Sequence, residues 1–370
     1  MKTAIKATFI CGLENGLWFG NGRDKLSGQS YPHAYIEFLP PRGFVLIVSP
    51  QASTAPPELL RDLRAAVELA VERNRAEAIL LSGGLDTSIV AALACKQQPL
   101  RAYTIALKGA PSPDIEYANV MAKALGLNHK LHMFSVEEFI ENLPDVVKTL
   151  KVFDPMEIRN SAAVYIGMKE AKKDGTSTVL TGDACDELFA GYSFLFNLSS
   201  SELRSSLKRL WNVMSFSAIP MAQSLGMIAK IPFLDAEVKQ MASRLDPSVL
   251  VVEQEGQKWG KWIVRKAFED LLPSKITWRV KAPIEYGCGT TTLPQIFDHR
   301  IPDEEFREKQ EHIKETDGIT IRDKEHLAYY EVFHTVLGPR PKTVGRTCPQ
   351  CQYEVREDAT FCRTCGAYPI

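Results

Sequence analysis

One segment of the sequence, residues 82–88, combines residue types that bind phosphate. It follows an apolar run and holds two glycines, three hydroxyl side chains and one carboxylate: Ser82, Gly83, Gly84, Leu85, Asp86, Thr87 and Ser88. Small residues before a helix let backbone N–H groups approach an anion, and the hydroxyls add donors. Asp86 would repel phosphate unless a divalent cation lies between them, which predicts Mg²⁺. The segment has neither the Gly-Lys-Ser/Thr ending of a Walker loop nor the G-x-G-x-x-G pattern of dinucleotide sites.

A second group of charged residues follows another predicted strand. Gly182 is followed by three carboxylates within five residues: Asp183, Asp186 and Glu187. So much negative charge at the end of a strand costs stability unless a cation neutralises it. We therefore expect Asp86 and Asp186 to share one Mg²⁺ bound to phosphate oxygens of the ligand.

Two Cys-x-x-Cys pairs near the C-terminus are separated by ten residues. They are Cys348 with Cys351 and Cys362 with Cys365. Two thiolate pairs at this spacing are typical of a tetrahedral zinc ribbon. With all four positions filled by protein the zinc is expected to be structural, and so short a module cannot build a core without it. The sequence leaves three roles open for the ribbon: docking a partner, contacting tRNA, or capping the rest of the protein.

The elements that position these groups alternate between strand and helix. Apolar runs at Ala78–Leu81, Ala102–Ala106 and Thr178–Thr181 are interleaved with helical patterns. Alternation of this kind predicts an α/β fold with a parallel sheet flanked by helices. Beyond about residue 195 the strand signals fade, and we expect a helical subdomain there.

Helix signals and composition predict the boundaries of the elements and domains. Helices are expected from Pro56 to about Arg75, from about Thr87, from about Pro113 to Gly126, after a cap formed by Ser135 and Glu138, and over Ser161–Lys173. The charge-dense stretch 298–326 is interpreted as a solvated helix-and-loop face. The predicted parts are a strand-rich segment 1–55 with β-like runs at 34–38 and 44–48, a main domain 56–337, a linker 338–347 and the ribbon 348–370.

Segment 82–88 resembles the PP-loop of ATP pyrophosphatases. Together with residues 182–192 it resembles the synthetase domain of the asparagine synthetase family, which includes β-lactam synthetase. The resemblance extends from about Ala78 to Gly289 and includes residues 112–114, His129, 158–161, 226–235, 261–265, 272–273 and 278–281. It implies an adenine nucleotide alpha hydrolase-like fold that binds ATP and Mg²⁺, with segment 82–88 and Gly182 at the nucleotide.

The resemblance also implies an activity and the roles of three residues. The family's synthetase domain activates a carboxylate, by default aspartate, as an acyl-adenylate, and then forms an amide with ammonia or an amine. Lys261 would stabilise charge at the α-phosphorus in the transition state, with Arg265 supporting it, and positive charge is what such a reaction needs. Asp183 stands where the family usually has Glu, at a position associated with amination. The shorter side chain leaves the acceptor open.

The N-terminus does not resemble a glutamine-using member of that family. Such enzymes begin with Cys directly after the initiator Met, because its own α-amino group activates the thiol. Here residue 2 is Lys, and too few residues separate Cys11 from the ligase segment for a glutaminase domain. We expect Cys11 to be a structural, buried thiol. The nitrogen source is then free ammonia, an amino group of the substrate, or a separate glutaminase subunit, and such a subunit or a carrier is a candidate partner of the ribbon.

The net charge is close to zero, at −1 from 44 basic and 45 acidic residues. It provides no attraction to nucleic acid or anionic membranes. The sequence contains no apolar run long enough to span a bilayer and no signal-peptide pattern, so we expect a cytoplasmic protein. Two other functions stay open: a PP-loop tRNA-modifying enzyme that grips RNA with the ribbon, and a non-catalytic ATP-binding regulator. The neutral charge disfavours the first, and the intact Asp86, Asp186 and Lys261 disfavour the second.

Overall fold

A computed structural model describes residues 55–339 and 343–370 and, before them, the backbone of four strands between residues 12 and 48. The chain divides into two compact units. The first comprises Met1–Ala55 and Val252–Lys258, and the second comprises Pro56–Val251 and Trp259–Ile370. Cys11 lies outside the described residues, so its burial stays a prediction.

The strands of the N-terminal segment form an antiparallel sheet. They are β1 (Gly12–Glu14), β2 (Leu17–Arg23), β3 (Ser30–Phe38) and β4 (Phe44–Val48), paired in chain order. Each pairs antiparallel with the next, which makes the sheet a meander. Both β-like runs predicted from the sequence lie within strands, at β3 and β4.

The second unit is built on parallel strands connected by helices. The strands are β5 (Ala78–Leu80), β6 (Arg101–Leu107), β7 (Asn128–Phe134), β8 (Thr178–Leu180) and β9 (Ile228–Lys230). The helices before and between β5 and β8 are α1 (Pro57–Arg73), α2 (Leu85–Ala94), α3 (Asp114–Leu125), α4 (Val136–Leu150) and α5 (Pro155–Lys173). These elements confirm the predicted α/β class.

The strand order of this sheet, β7-β6-β5-β8-β9, reverses direction in the middle. From β5 the chain moves outward through β6 to β7, and then returns to β8 and β9 on the other side of β5, with every pairing parallel. In open α/β sheets, ligands bind beyond the carboxyl ends of the strands at such a reversal. The loops after β5 and β8 therefore lie where a ligand is expected.

Strand β9 corrects the expectation that strand signals end near residue 195. It has three residues, and Ile228 is exposed, so neither an alternating nor a continuous apolar pattern marks it. It is a strand because it pairs with β8, with Thr178–Leu180 opposite Ile228–Lys230. Its conformation is set by tertiary pairing and not by local sequence.

The rest of the chain is mainly helical, as predicted. The helices are α6 (Cys185–Leu188), α7 (Ser200–Val213), α8 (Ala218–Ser224), α9 (Ala236–Arg244), α10 (Trp262–Ala267), α11 (Ser274–Thr277), α12 (Ile284–Cys288), α13 (Leu293–Arg300), α14 (Asp303–Asp317) and α15 (Lys324–Leu337). Short 3-10 turns occur at Ser193–Leu195, Pro232–Leu234, Pro247–Val249 and Thr290–Thr292. A two-stranded hairpin contains β10 (Val252–Gln254) and β11 (Gln257–Trp259).

The stretch 298–326 is only partly the solvated face predicted from its charge. Helix α14 has one buried residue, Ile313, but the segment after it buries Ile319 and Ile321 in the core. His326, at the start of α15, is also fully buried. The apolar side chains are too sparse for a periodic signal, so only tertiary packing identifies them.

The C-terminal ribbon shares a core with the preceding helices. All four ribbon cysteines are buried and belong to the apolar cluster that contains Phe153 and Phe333. The ring of Phe333, in α15, meets that of Tyr353 edge-on at 5.5 Å between centroids. Within the described part of the chain, no helix combines the length and apolar character that crossing a bilayer requires.

Candidate active site

The first loop of the site, residues 82–88, connects β5 to α2. Helix α2 begins at Leu85, two residues before the predicted start, so the hydroxyl-bearing half of the segment is its first turn. The Gly84 N–H donates to Ser82 Oγ at 3.2 Å, and Ser82 Oγ lies 3.1 Å from Thr87 Oγ1. Gly83 has φ +65°, and a Cβ there would overlap the backbone of Tyr117 in α3. Glycine is therefore required by both conformation and space.

The second loop follows β8 and lies directly against the first. A Cβ at Gly182 would lie 2.8 Å from the backbone nitrogen of Thr87, so the loops are in contact. Ala184, with φ +75°, turns the chain sharply before α6. Asp186 belongs to the first turn of α6 and packs against Gly191, where a Cβ would overlap its carboxylate. The two carboxylate-bearing segments predicted from the sequence therefore lie side by side.

Lys261 joins the two loops. Its Nζ is 2.8 Å from Asp86 Oδ2 and 2.8 Å from Asp186 Oδ1, and the residue is only 2% exposed. Lys281 adds a second cation, 3.2 Å from Asp186 Oδ2. Burial alone would raise the pKa of Asp186, but the two lysines outweigh it and hold this pKa at about 2. Burial lowers the pKa of Lys261, but Asp186 and Asp86 more than compensate, so Lys261 stays a cation.

Asp183 lies beside this charged cluster but, unlike Asp186, has a raised pKa. Burial, together with the neighbouring charges of Glu187, Asp86 and Asp186, raises the pKa of Asp183 to about 6. The Thr181 hydroxyl opposes this shift by donating to Asp183 Oδ2 at 2.9 Å. A carboxyl group with a pKa near neutrality is suited to accept and release a proton during a reaction.

Arg265 lies in α10, one turn after Lys261, and directs its guanidinium at the main chain. It donates to the carbonyl oxygens of Gly260, at 3.0 Å, of Thr277, and of Arg279, at 3.1 Å. Because Gly260 directly precedes Lys261, Arg265 fixes the backbone that carries the central cation. The structure thus gives Arg265 a positioning geometry, and its supporting role in the reaction stays a prediction.

Arg279 lies in segment 278–281, which the family resemblance includes, but the sequence predicts no role for it. It donates to the Ser82 carbonyl oxygen at 2.9 Å and to Asp114 Oδ1 at 2.6 Å. Its guanidinium carbon lies 3.9 Å from the ring centroid of Tyr117. Arg279 therefore ties the first loop to α3. No sequence signal distinguishes a buried arginine within such a segment from a surface arginine.

The loops open into a cleft with a cavity volume of about 360 Å³. Beyond the loops, its walls come from α5, from residues 215–218 and from residues 279–284. Helix α5 contributes Glu157 and Asn160. Among the described residues, no group hydrogen-bonds to the buried Asn160 Oδ1. The cleft is large enough for a small ligand next to the charged loops.

Two cysteines close to the cleft are buried thiols whose pKa values are raised. Cys185 and Cys288 are both buried. Burial raises the pKa of Cys288 to about 11, and burial, with the nearby Asp86, raises that of Cys185 well above its ordinary value. Since the thiolate is the nucleophilic form, neither residue is suited to covalent catalysis.

The four ribbon cysteines form a second, separate site. Their sulfur atoms lie within 4.8 Å of one another, with Cys348 Sγ 3.8 Å from Cys365 Sγ and Cys351 Sγ 3.6 Å from Cys362 Sγ. A tetrahedral zinc with Zn–S bonds of about 2.3 Å places its sulfurs roughly 3.8 Å apart. The residues therefore fit zinc.

The reversed parallel sheet, with two loops joined by a buried lysine beside paired carboxylates, defines a PP-loop α/β protein carrying a zinc-ribbon domain. Comparison with protein families makes this specific: the chain belongs to the asparagine synthase family, whose model matches residues 58–220 and 217–326. A zinc-ribbon domain model matches residues 347–368. Neither matching model is a glutaminase.

Individual relatives agree with this assignment. A probable glutamine-hydrolysing asparagine synthetase of Dictyostelium discoideum is 30% identical over 304 residues, covering 73% of this chain and 54% of that protein. One of Schizosaccharomyces pombe is 30% identical over 344 residues, covering 81% and 60%. The chain thus spans a little over half the length of these two relatives.

A comparison with solved structures finds only distant similarity. The NMN synthetase of Francisella tularensis is similar at 16% identity and a TM-score of 0.27, covering 51% of this chain and 92% of that one.

Proposed function

We propose that this chain is an ATP-dependent ligase that converts a carboxylic acid into an amide, with AMP and pyrophosphate as products. The observation that carries the proposal is the placement of Lys261 between Asp86 and Asp186. Lys261 contacts one carboxylate from each loop at the sheet reversal, so the two loops form one site with buried charges of both signs. Membership of the asparagine synthase family supports the same reaction class.

Segment 82–88 is proposed to bind the phosphates of ATP. The first turn of α2 presents backbone N–H groups and the hydroxyls of Thr87 and Ser88, and the Ser88 side chain is fully buried with no hydrogen-bond partner for its Oγ among the described residues. Gly182 allows the second loop to approach the same space. Asp86 and Asp186 would hold Mg²⁺, which neutralises charge on the departing pyrophosphate.

The first step is attack by the acceptor carboxylate on the α-phosphorus. An oxygen–phosphorus bond forms, the bond between the α- and β-phosphates breaks, and pyrophosphate leaves with the electron pair. Lys261 stabilises the negative charge that accumulates at the α-phosphoryl oxygens, and Arg265 fixes Lys261 through the Gly260 carbonyl. Positive charge held before the reaction costs no reorganisation when the transition state forms.

The second step is amide formation. The amine nitrogen attacks the acyl carbon of the adenylate. The bond between the acyl carbon and the AMP oxygen breaks, AMP leaves with the electron pair, and the nitrogen loses a proton. Asp183 is proposed to take this proton, since its pKa of about 6 leaves it ionised at neutral pH and basic enough to help. Aspartate and ammonia are the default substrates. A separate glutaminase subunit is an alternative nitrogen source, and the cytoplasm is the proposed location.

The decisive experiment follows oxygen from the acceptor. Zinc-loaded protein is incubated with ATP, Mg²⁺, ammonia and ¹⁸O-carboxylate aspartate, and then with a panel of other acids. Adenylation transfers one ¹⁸O into AMP, which mass spectrometry detects, and pyrophosphate release gives the rate. Asp186→Asn should abolish both signals. Asp303→Asn, an exposed carboxylate paired with Lys324 at the start of α14, is the matched control and should leave them unchanged.

Four outcomes lead to different conclusions. Labelled AMP with aspartate supports asparagine synthesis, whereas labelled AMP with another acid keeps the mechanism and replaces the acceptor. Pyrophosphate released without label in AMP would reject the acyl-adenylate. If no acid of the panel releases pyrophosphate although ATP binds, the ligase proposal is rejected in favour of a non-catalytic nucleotide-binding protein.

A further inference from the structure

The zinc ribbon contacts the rest of its unit through the backbone of its metal-binding turns. The Phe153 N–H donates to the Thr364 carbonyl at 2.7 Å, and Arg322 Nη2 donates to the Cys365 carbonyl at 2.6 Å. On the other turn, the Thr320 N–H donates to the Gln350 carbonyl at 2.7 Å. Each acceptor belongs to a segment whose shape depends on the four cysteines. Metal binding and docking are thus properties of the same turns.

One of these contacts lies at the start of α5. Asp154 is the N-cap of this helix and accepts from the Met156 N–H at 3.3 Å. Gly366, directly after the last cysteine, packs so closely that a Cβ there would overlap the Asp154 carboxylate. The ribbon therefore covers the cap of α5. Glu157 and Asn160, which line the cleft, lie one to two turns from that cap.

A second contact reaches another wall of the cleft. Arg363 Nη2, between the third and fourth cysteines, donates to the carbonyl of Val213 at 3.1 Å. Val213 is the last residue of α7. The chain then enters residues 215–218, which line the cleft. The ribbon is thereby connected to two separate wall segments.

The nucleotide loops are held by different partners. Segment 82–88 packs on α3 through the contact of Gly83 with Tyr117. Arg279 also donates a hydrogen bond to the Ser82 carbonyl oxygen. The second loop packs on the first. The two sides of the cleft thus differ in one respect: the first loop is held by α3 and Arg279, whereas α5, which packs on the same sheet, also has its N-terminal cap covered by the ribbon.

We propose that the ribbon is a brace that positions the acceptor-binding wall of the cleft, and that Arg363 is a positioning residue in it. The assignment of that wall to the acceptor rests on the proposed function, and it is supported by Asn160 Oδ1, which is buried without a partner among the described residues. The brace itself does not depend on the reaction. Zinc fixes the turns, the turns fix the cap of α5 and the end of α7, and these fix the side chains that face the acceptor.

The test compares Arg363→Ala with Arg356→Ala in the full chain. Both remove a ribbon arginine and spare the ligands, but Arg356 pairs only with Asp358 of the ribbon itself among the ion pairs of the described residues. Zinc content is measured first, and both variants should retain it. Hydrogen exchange is then followed by mass spectrometry. Arg363→Ala should speed exchange at residues 211–218 about fivefold, the factor expected for one lost hydrogen bond, with no change at residues 82–94.

Kinetics then test the assignment of the wall. Arg363→Ala should raise the KM for the acceptor several-fold and leave the KM for ATP and the zinc content as in the wild type.

A second variant tests the contact at α5. Gly366→Ala, whose added Cβ presses on the Asp154 carboxylate at the α5 cap, should also speed hydrogen exchange at residues 153–164. Unchanged exchange at both wall segments overturns the brace, whatever the activity. Faster exchange with an unchanged acceptor KM keeps the brace and rejects only the placement of the acceptor.

Discussion

Replacing Lys261 with Met tests the charge balance at the centre of the site. Methionine keeps most of the side-chain volume but removes the cation that lies 2.8 Å from both Asp86 and Asp186. Removing one partner of a buried ion pair costs about 3–5 kcal/mol, because the other charge is left without compensation. Lys281 remains 3.2 Å from Asp186, so we expect the lower end, about 3 kcal/mol.

The assay is urea unfolding followed by circular dichroism, without nucleotide. Wild type and variant are compared at pH 7.5, each with and without Mn²⁺. A divalent cation can replace the lost ammonium between the carboxylates, so Mn²⁺ should recover part of the deficit in the variant and change the wild type little. Lys309→Met is the matched control. It removes two partly exposed ion pairs, to Glu305 and Glu331, and should cost less than about 1 kcal/mol.

The pH dependence supplies a second, independent readout. In the wild type the pKa of Asp186 is held at about 2, below that of an unfolded aspartate, so its contribution to stability is present above about pH 4 and is lost as pH falls toward 2. Without Lys261, only Lys281 opposes the effect of burial, so the pKa of Asp186 should rise and the ionised carboxylate should no longer stabilise the fold at neutral pH. The deficit of the variant should then be largest at neutral pH and shrink on acidification. A deficit below about 1 kcal/mol that does not change with pH would refute the charge-balance reasoning.

Three further predictions concern Asp183, Gly83 and Cys362. Amide formation by the wild type should fall as pH drops through about 6, where Asp183 gains a proton, and Asp183→Asn should be slow with no such inflection in single-turnover pH profiles. Gly83→Ala should lower the free energy of unfolding by at least about 1–2 kcal/mol, because φ is +65° and Tyr117 blocks the Cβ. It should also weaken ATP binding, measured by calorimetry. Cys362→Ser should reduce zinc to a small fraction of the wild-type content by metal analysis and lower the urea midpoint, whereas loss of zinc with an unchanged midpoint would contradict a structural role.

The loops of the site could be predicted because their chemistry is local. Segment 82–88 and residues 182–187 each concentrate unusual residue types directly after an apolar run, so composition alone identifies a binding loop. The position of Lys261 could not be obtained in that way. It is 175 residues from Asp86 in the chain, and only resemblance to a family singled it out among the lysines. Long-range pairing of this kind leaves no trace in a single sequence.

Element boundaries show the same division between local and tertiary causes. Helix α5 begins at Pro155, and not at the predicted Ser161, although Asp154 and Pro155 form a recognisable cap and first position. This signal is local, so the start of α5 can be predicted from the sequence. Strand β9 and the buried Ile319 and Ile321 are different, because their conformation and burial depend on partners elsewhere in the chain. Such features require the fold to be known first.

The burial of the thiols near the cleft makes the protein convenient for chemical titration. Cys185 and Cys288 are shielded and have raised pKa values, and burial also raises that of Cys95. The ribbon sulfurs are buried as well, but zinc-bound sulfurs are thiolates, so a reagent that acts on thiolates should react with them before these three thiols. A mercurial added stepwise, with a colorimetric zinc indicator, would open the ribbon and report how the core that it shares with Phe153 responds. The contribution of the ribbon can thus be measured in the wild-type protein by releasing its zinc, without an amino-acid substitution.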